Sequence, residues 1–131
     1  MHRRLALAAL PLLALGACGT TDAPGPAPVT AVFFSEDSAG LDENARAVVA
    51  QAAGLAKERP GAPVRVRGFA APDGGTPAFN RSLAEARARQ VADRLVESGV
   101  GRDRIRIEPR GAVPYDSFPT ESRRVEIVIG P

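Results

Sequence analysis

The sequence predicts an α/β (α+β) fold, a two-layer sandwich in which a mixed four-stranded sheet carries two helices on one face. Short runs in which apolar residues occupy every second position indicate strands, and two longer stretches with apolar residues three and four apart indicate helices. Their order is β-α-β-α-β-β, so helices alternate with strands at first and two strands then follow in succession. A chain of 131 residues is long enough for one such core.

The first strand is predicted at Val29–Phe34, where β-branched and aromatic residues are concentrated. Asp42 is placed to cap the first helix, which should end near Arg59, before Pro60 and Gly61. Helical spacing is shared by Leu41, Ala45, Val48, Val49, Ala52, Leu55 and Ala56.

The second half repeats these patterns. Gly99 and Gly101 should end the second helix. The predicted elements are a strand at Val64–Phe69, a helix at about Asn80–Ser98, a strand at Ile105–Ile107, a loop at Arg110–Ser122 and a strand at Val125–Ile129.

The start of the chain has the features of a secretory signal. Met1–Arg4 is positively charged, Leu5–Leu15 is apolar and small residues precede Cys18. The apolar run is shorter than the roughly 20 residues of a membrane-spanning helix. Either an ordinary signal leaves Cys18 as a free thiol, or the cysteine is modified. Leu15-Gly16-Ala17-Cys18 resembles the bacterial lipobox, which implies cleavage before Cys18 and its lipidation.

This gives three segments: a lipoprotein signal peptide at 1–17, a lipidated cysteine with a Pro-rich tether at 18–28, and a folded domain at 29–131. The whole chain has 17 Lys and Arg against 15 Asp and Glu, and cleavage would remove Arg3 and Arg4 and leave equal numbers. Its arginines are interspersed with carboxylates and aromatic residues are few, so nucleic-acid binding, which needs a basic face, is not expected.

Four motifs carry a resemblance to a known family. They are Val32-Phe33-Phe34-Ser35-Glu36-Asp37, Val64-Arg65-Val66-Arg67-Gly68-Phe69-Ala70, Asn80-Arg81-Ser82-Leu83-Ala84-Glu85-Ala86-Arg87-Ala88 and Ser122-Arg123-Arg124-Val125-Glu126-Ile127. In this order and spacing they resemble the peptidoglycan-binding domain of the OmpA-like family. With the lipobox, the chain is similar to the Pal-type outer-membrane lipoproteins of that family.

The resemblance implies non-covalent binding of peptidoglycan through diaminopimelate, whose side chain carries a carboxylate and an ammonium. Arg87 matches the family's carboxylate-binding arginine, and a guanidinium suits that task because it can donate two parallel hydrogen bonds. The alternative is a solvated arginine whose stem covers apolar surface. Asp37 matches an aspartate that lines the pocket. Arg123 and Arg124 should point to opposite faces of the last strand, and Arg124 is taken as the ligand-binding one.

The acidic partner of Arg87 departs from the family pattern. The family's loop aspartate falls at Ala71 here, and the loop from Gly68 to Asn80 is one residue longer. Asp73 could reach the ammonium from this longer loop, or it could stabilise a Pro-Asp-Gly turn. Ser122 stands where the family has Asn, and Phe69 where it often has His.

The composition argues against catalysis. His2 is the chain's only histidine and would leave with the signal, so we expect no metal site, no cofactor and no nucleophile–base pair. The expected role is an outer-membrane, lipid-anchored protein facing the periplasm, bound to peptidoglycan and to lipid through acyl chains on Cys18. Tol-type envelope proteins are candidate partners. The alternative is an OmpA-like fold that has lost its ligand and acts as a protein-interaction module.

Overall fold

The computed structural model describes residues 27–131, so the predicted signal peptide, the lipidated Cys18 and most of the tether lie outside the described residues. The six main elements follow the predicted order. They are β1 (Val29–Phe33), α1 (Glu43–Lys57), β2 (Val64–Ala70), α2 (Pro77–Glu97), β3 (Ile105–Ala112) and β4 (Arg124–Ile129). Single 3-10 turns occur at Arg102–Arg104 and Pro119–Glu121. Neither helix is long and apolar enough to cross a bilayer.

The four strands form one mixed sheet in the order β1-β4-β2-β3. β4 runs antiparallel to both of its neighbours, whereas β2 and β3 are parallel and are joined through α2. This arrangement confirms the predicted mixed sheet with two helices.

One face of the sheet and the inner faces of both helices share a single core. Val66, Ile127 and Val125 on the sheet are fully buried, as are Val49 on α1 and Val91 on α2. Alternate residues of the strands point to the other face, which is charged and partly exposed because no helix covers it.

α2 begins three residues earlier than the sequence pattern predicted, at Pro77 instead of Asn80. The Thr76 hydroxyl oxygen accepts a hydrogen bond from the Phe79 amide at 3.1 Å, and Pro77 occupies the first turn, where no amide donor is needed. The predicted end is confirmed. Gly99 adopts a φ of 99°, and the Val100 amide donates to the Leu95 carbonyl at 3.0 Å.

β3 extends to Ala112, although the sequence predicted a strand only to Ile107 and a loop from Arg110. Pro109 is tolerated because β3 is an edge strand. The pairing with β2 shifts register at Gly68/Phe69, and Gly111 supplies a φ of 74° there.

Gly68 on β2 sets how closely α2 approaches the sheet. A Cβ atom at this position would collide with the backbone carbonyl oxygen of Ala84 and crowd the methyl group of Ala88. The absence of a side chain therefore lets the helix lie directly on the strand, and this fixes the depth of the residues that follow Ala84 on α2.

The sheet has two distinct ends. β1 and β2 end, and β4 begins, at the end that we call the cleft end. Ala27 and Pro28 lead into β1 at the opposite end, the tether end, where the Ile129 amide donates to the Pro28 carbonyl oxygen at 3.1 Å. The predicted tether therefore meets the domain at the end of the sheet opposite the cleft.

Candidate functional site

A small cleft of about 20 Å³ opens at the cleft end. The loop after β1, the loop after β2, the residue before β4 and one face of α2 enclose it. Both charge signs occur in its lining, which includes Glu36, Asp37, Asp73, Arg87 and Arg123. The cleft is therefore suited to a ligand group that itself carries both charges.

α2 supplies the floor of the cleft. Asn80, Leu83 and Arg87 all line it, and their spacing of three and four residues places them on one helix face. Asn80 and Arg87 are buried, at 5% and 0% exposure. The helix face that carries Arg87 is pressed onto β2 because Gly68 has no side chain.

Arg87 holds the surrounding backbone together. Its Nε donates to the Ser38 carbonyl oxygen at 2.9 Å, Nη2 to that of Ser35 at 3.0 Å and Nη1 to that of Phe69 at 3.2 Å. The guanidinium carbon lies 5.4 Å from the ring centre of Phe34. These contacts join α2 to the loop after β1 and to the end of β2.

The hydrogen bonds of Arg87 use only some of the N–H donors of its guanidinium group. A guanidinium has five N–H donors, and the three bonds take the single Nε donor and one donor from each terminal nitrogen. One N–H on each terminal nitrogen remains, and no carboxylate among residues 27–131 forms a salt bridge with the group.

The charge of Arg87 is also poorly compensated. Burial is the main reason that the pKa of Arg87 is lowered to about 10; the positive charge of Arg123 lowers it as well, whereas Asp37 raises it. Arg87 is thus still a cation at neutral pH. A buried cation with two spare donors and a second guanidinium nearby favours an added anion.

Asp37 lies in the turn after β1 and lines the cleft. Its φ of 51° is the left-handed value, which Asp and Asn adopt more readily than other side chains. Asp37 is the only non-glycine residue between 27 and 131 with a positive φ. Strain of this kind concentrates at functional sites, and here it turns a carboxylate toward the cleft that contains Arg87.

Asp73 lines the same cleft as Arg87, so the structure brings these two predicted residues together. Its side chain is exposed, and the Tyr115 hydroxyl lies 3.5 Å from Oδ2. Ala71, at the position of the family's aspartate, is buried and also lines the cleft. The longer loop places an acid on the rim and a methyl group in the wall.

The two arginines at the start of the last strand separate as their alternation predicts. Arg123 lines the cleft, and its Nη2 lies 3.9 Å from Oε2 of Glu36. Arg124 points to the other face, where it lies over the Phe69 ring at 4.4 Å and donates to Glu126 at 3.0 Å. The structure thus brings Arg123 to the cleft and leaves Arg124, the residue chosen from the sequence, away from it, because β4 begins at Arg124 with that side chain on the uncovered face.

The loop between β3 and β4 reaches the cleft end through the contact of Tyr115 with Asp73. The carboxylate of Glu121 accepts hydrogen bonds from the amides of Asp116 at 3.0 Å, Phe118 at 3.2 Å and Ser117 at 3.3 Å. These backbone bonds, that of Asp116 first, lower the pKa of Glu121. Tyr115, which contacts Asp73, belongs to the loop that Glu121 organises.

Sequence reasoning missed two residues that line this site. Glu36 and Asn80 lie within the motifs but were assigned no role, and spacing along α2 could have identified Asn80 because it shares the face of Leu83 and Arg87. Ser122 is fully buried, and its hydroxyl has no hydrogen-bond partner among the described residues.

Between residues 27 and 131, no three His, Cys, Asp or Glu side chains are grouped to hold a metal ion.

Comparison with known proteins agrees with the fold and the motifs. The sequence profile of the OmpA family matches residues 33–125. Outer membrane protein 40 of Porphyromonas gingivalis is 42% identical over 81 residues, which cover 62% of this chain and 21% of that protein. The chain thus spans about a fifth of the length of this curated relative.

Solved structures share the same architecture. The peptidoglycan-associated lipoprotein of Burkholderia pseudomallei aligns with a TM-score of 0.69 and 24% identity, over 76% of this chain and 89% of that one. The OmpA-like domain of FopA1 from Francisella tularensis aligns with a TM-score of 0.70 and 22% identity, over 79% of this chain and 72% of that one. The periplasmic domain of Helicobacter pylori MotB aligns with a TM-score of 0.68 and 19% identity, over 81% of this chain and 77% of that one.

Proposed function

The chain belongs to the OmpA family, and from that premise we propose that it binds peptidoglycan non-covalently through the diaminopimelate of the stem peptide. Acyl chains on Cys18 would hold the other end of the protein in the outer membrane, with the domain in the periplasm. The protein would thus link two layers of the envelope without catalysing a reaction. The observation that carries this proposal is the buried Arg87 cation, which lines the cleft and uses three of its five N–H donors in hydrogen bonds.

Arg87 is assigned to the carboxylate at the end of the diaminopimelate side chain. One free N–H on each terminal nitrogen matches the two oxygens of a carboxylate. Arg123, which carries the second positive charge of the cleft, is assigned a supporting role in place of Arg124, which lies on the other face. Because the site is already desolvated around Arg87, an incoming carboxylate would compensate an existing charge.

The ammonium of the ligand is assigned to the acidic rim. Asp37 and Asp73 line the same cleft as Arg87, and Glu36 lies beside Arg123. Asp73 would replace the missing acid at Ala71 from the longer loop. Three carboxylates and two guanidiniums around one cleft match the two charges at the zwitterionic end of one amino-acid side chain.

The membrane part of the proposal depends on residues outside the described range. Its support is the lipobox-like Leu15-Gly16-Ala17-Cys18, the Pro-rich segment that follows it, and the names of two similar proteins, an outer membrane protein and a peptidoglycan-associated lipoprotein. A lipid anchor and a weak ligand site on one tether strengthen each other through effective concentration. Tol-type partners stay a prediction.

A sedimentation assay tests the ligand. The chain from Cys18 onward is mixed with purified peptidoglycan that contains diaminopimelate or, as a matched control, lysine, which lacks the side-chain carboxylate. We expect co-sedimentation with the first material only. Arg87→Ala should weaken it at least 30-fold, roughly the lower limit for losing one partner of a buried charge pair. Arg104→Ala, a change of the same type at the tether end, should leave it unchanged. Equal binding to both peptidoglycans would refute the assignment.

A second candidate is a protein-interaction module that keeps the fold without the ligand. Ala71 in the place of the family's aspartate and the exposure of Asp73 favour it. It predicts partner proteins recovered by cross-linking, in amounts that free diaminopimelate does not change. The first proposal predicts that free diaminopimelate competes with peptidoglycan, so one competition series separates the two.

A further inference from the structure

The uncovered face of the sheet carries an unpaired basic row at the tether end. The strand register aligns Val29, Val128, Arg65 and Arg106 across all four strands. Arg65 and Arg106 are therefore direct cross-strand neighbours, although like charges in this position destabilise a sheet. Arg65 has one long hydrogen bond, from Nε to the Gly130 carbonyl oxygen at 3.4 Å, and neither arginine forms a salt bridge within residues 27–131.

The next row of the same face is built differently. There the register aligns Ala31, Glu126, Arg67 and Glu108, so that the arginine lies between two carboxylates. Its nitrogens are 3.5 Å from Glu126 and 3.7 Å from Glu108. The protein therefore compensates its charges in the middle of this face and leaves them uncompensated at the tether end.

Apolar surface borders the basic row. Val29, in the same row, is 59% exposed. Beside it is a groove of about 320 Å³ with a mainly apolar lining, made by Ala27, Pro28, Arg59, Ala62, Ile129, Gly130 and Pro131. Basic side chains next to exposed apolar ones are typical of surfaces that lie on a bilayer. Glu58 and Asp103 are also exposed at this end, whereas Asp93 and Glu97 are already paired with Arg102 and Arg94.

The distribution of charge gives the domain a direction. The cleft end has an acidic rim that includes Glu36, Asp37 and Asp73, and the tether end of the uncovered sheet face has the unpaired Arg65 and Arg106. Pro28 joins β1 at the tether end, and an extended Pro-rich segment reaches about 3 Å per residue, so an anchor at residue 18 would keep this end within about 30 Å of the membrane. An anionic surface would attract the nearer end and repel the farther one.

We propose that the tether end docks on an anionic phospholipid surface through Arg65 and Arg106, which turns the cleft away from the membrane. This rests on the proposed function in taking residue 18 as the anchor. Docking and peptidoglycan binding then use opposite ends of the sheet, so that a domain lying on the membrane presents its binding cleft outward.

Energy transfer tests the orientation. The chain from Cys18 onward contains every described element, and its single cysteine can be coupled to a maleimide lipid, so the test does not depend on acylation in the cell. The sequence has no tryptophan, so Val29→Trp or Phe118→Trp gives one donor at either end. The acceptor is a dansyl-labelled headgroup in vesicles of phosphatidylcholine, with or without phosphatidylglycerol.

We expect phosphatidylglycerol to raise transfer from position 29 and to lower it from position 118, and salt to remove both changes. Arg65→Gln with Arg106→Gln should reduce the docking constant about 30-fold. Arg46→Gln with Arg81→Gln, exposed arginines of the two helices, should not. The Arg65 and Arg106 variant should melt no lower than the parent, because a like-charge pair is removed.

Equal transfer from position 29 in both kinds of vesicle, or a full response in the Arg65 and Arg106 variant, would overturn the docking proposal. Sedimentation with peptidoglycan is measured on the same proteins without vesicles. A protein that fails to dock but still binds peptidoglycan contradicts only this inference, and the reverse result contradicts only the proposed ligand.

Discussion

Arg87 at the cleft end and Arg104 at the tether end each donate to three backbone carbonyl oxygens, yet their surroundings differ. Arg104 bonds to Ala56, Arg59 and Ala62 at 2.7–3.1 Å, where α1 ends and the helix dipole attracts a cation. Arg87 is fully buried among loop and strand carbonyls and lines a cleft with spare donors. Carbonyl bonding alone therefore does not identify a candidate ligand-binding arginine, whereas burial beside a cleft does.

The largest expected effect comes from filling the space that lets α2 lie on β2. Gly68→Ala should lower the free energy of unfolding by about 2–3 kcal/mol, because the new methyl group collides with the Ala84 carbonyl, and it should weaken the ligand by displacing Arg87. Gly54→Ala is the matched control. Gly54 is on α1, and no atom lies within 4 Å of the position that a Cβ would take there. This change should therefore raise the free energy of unfolding by about 1 kcal/mol. Urea unfolding measures both, and equal stability of the two variants would contradict the packing account.

The two arginines can be separated directly. Arg87→Ala should abolish ligand binding and lower the free energy of unfolding by about 2 kcal/mol, because carbonyls of Ser35, Ser38 and Phe69 lose their donors. Arg104→Ala should lower the free energy of unfolding by about 1 kcal/mol, because the carboxyl end of α1 loses a cation, and it should leave ligand binding intact. Unfolding curves and sedimentation are recorded for both proteins. Loss of binding in the Arg104 variant would remove the distinction between the two ends.

A smaller effect is expected at the turn after β1. Asp37→Ala should reduce stability by about 1 kcal/mol, because alanine resists a φ of 51°, whereas Asp37→Gly should not. Both variants should bind the ligand about tenfold more weakly if the Asp37 carboxylate faces the ammonium of the ligand. Asp42→Ala in the same connection loses the helix cap, whose oxygen lies 2.7 Å from the Ala45 amide, and costs about 1 kcal/mol with binding unchanged. Equal affinity of the Asp37 and Asp42 variants would exclude Asp37 from the site.

The smallest effect concerns the loop beside the cleft. The pKa of Glu121 is lowered by backbone donors, so the order that it gives the loop is present above the unfolded value of 4.5 and is lost as the pH falls through the lower folded value. Amide shifts of Asp116, Ser117 and Phe118 should titrate together with a midpoint below 4.5. Glu121→Gln should remove that titration. A midpoint at or above 4.5 would show that the carboxylate does not organise the loop.

Most of the fold could be predicted from the sequence because alternation and helical spacing record burial directly. The start of α2 could be found from Thr76-Pro77, a cap followed by a first-turn proline, but the glycines and prolines around it favoured a loop. The full length of β3 could not be predicted, because Pro109 and Gly111 are tolerated only at an edge strand with a register shift. The position of β3 at the edge of the sheet and its register shift both depend on its pairing with β2, and the sequence of β3 alone does not show that pairing.

The site was less predictable than the fold. The motif located Arg87, but its partners are backbone carbonyls, which leave no pattern in side-chain identity. Alternation separated Arg123 from Arg124 without indicating which of them faces the cleft, since that depends on where β4 begins. The left-handed conformation of Asp37 likewise depends on how its turn closes.

The central claim is that the cleft end, and not the tether end, binds a zwitterionic side chain through Arg87. Amide chemical shifts of the chain from Cys18 onward, titrated with diaminopimelic acid, test it directly. We predict saturable shifts at Asp37, Ala71, Gly74 and Arg123, none at Arg65 or Arg106, and their loss in Arg87→Ala. Shifts centred on Arg65 and Arg106, or shifts at the cleft that persist without Arg87, would contradict the claim.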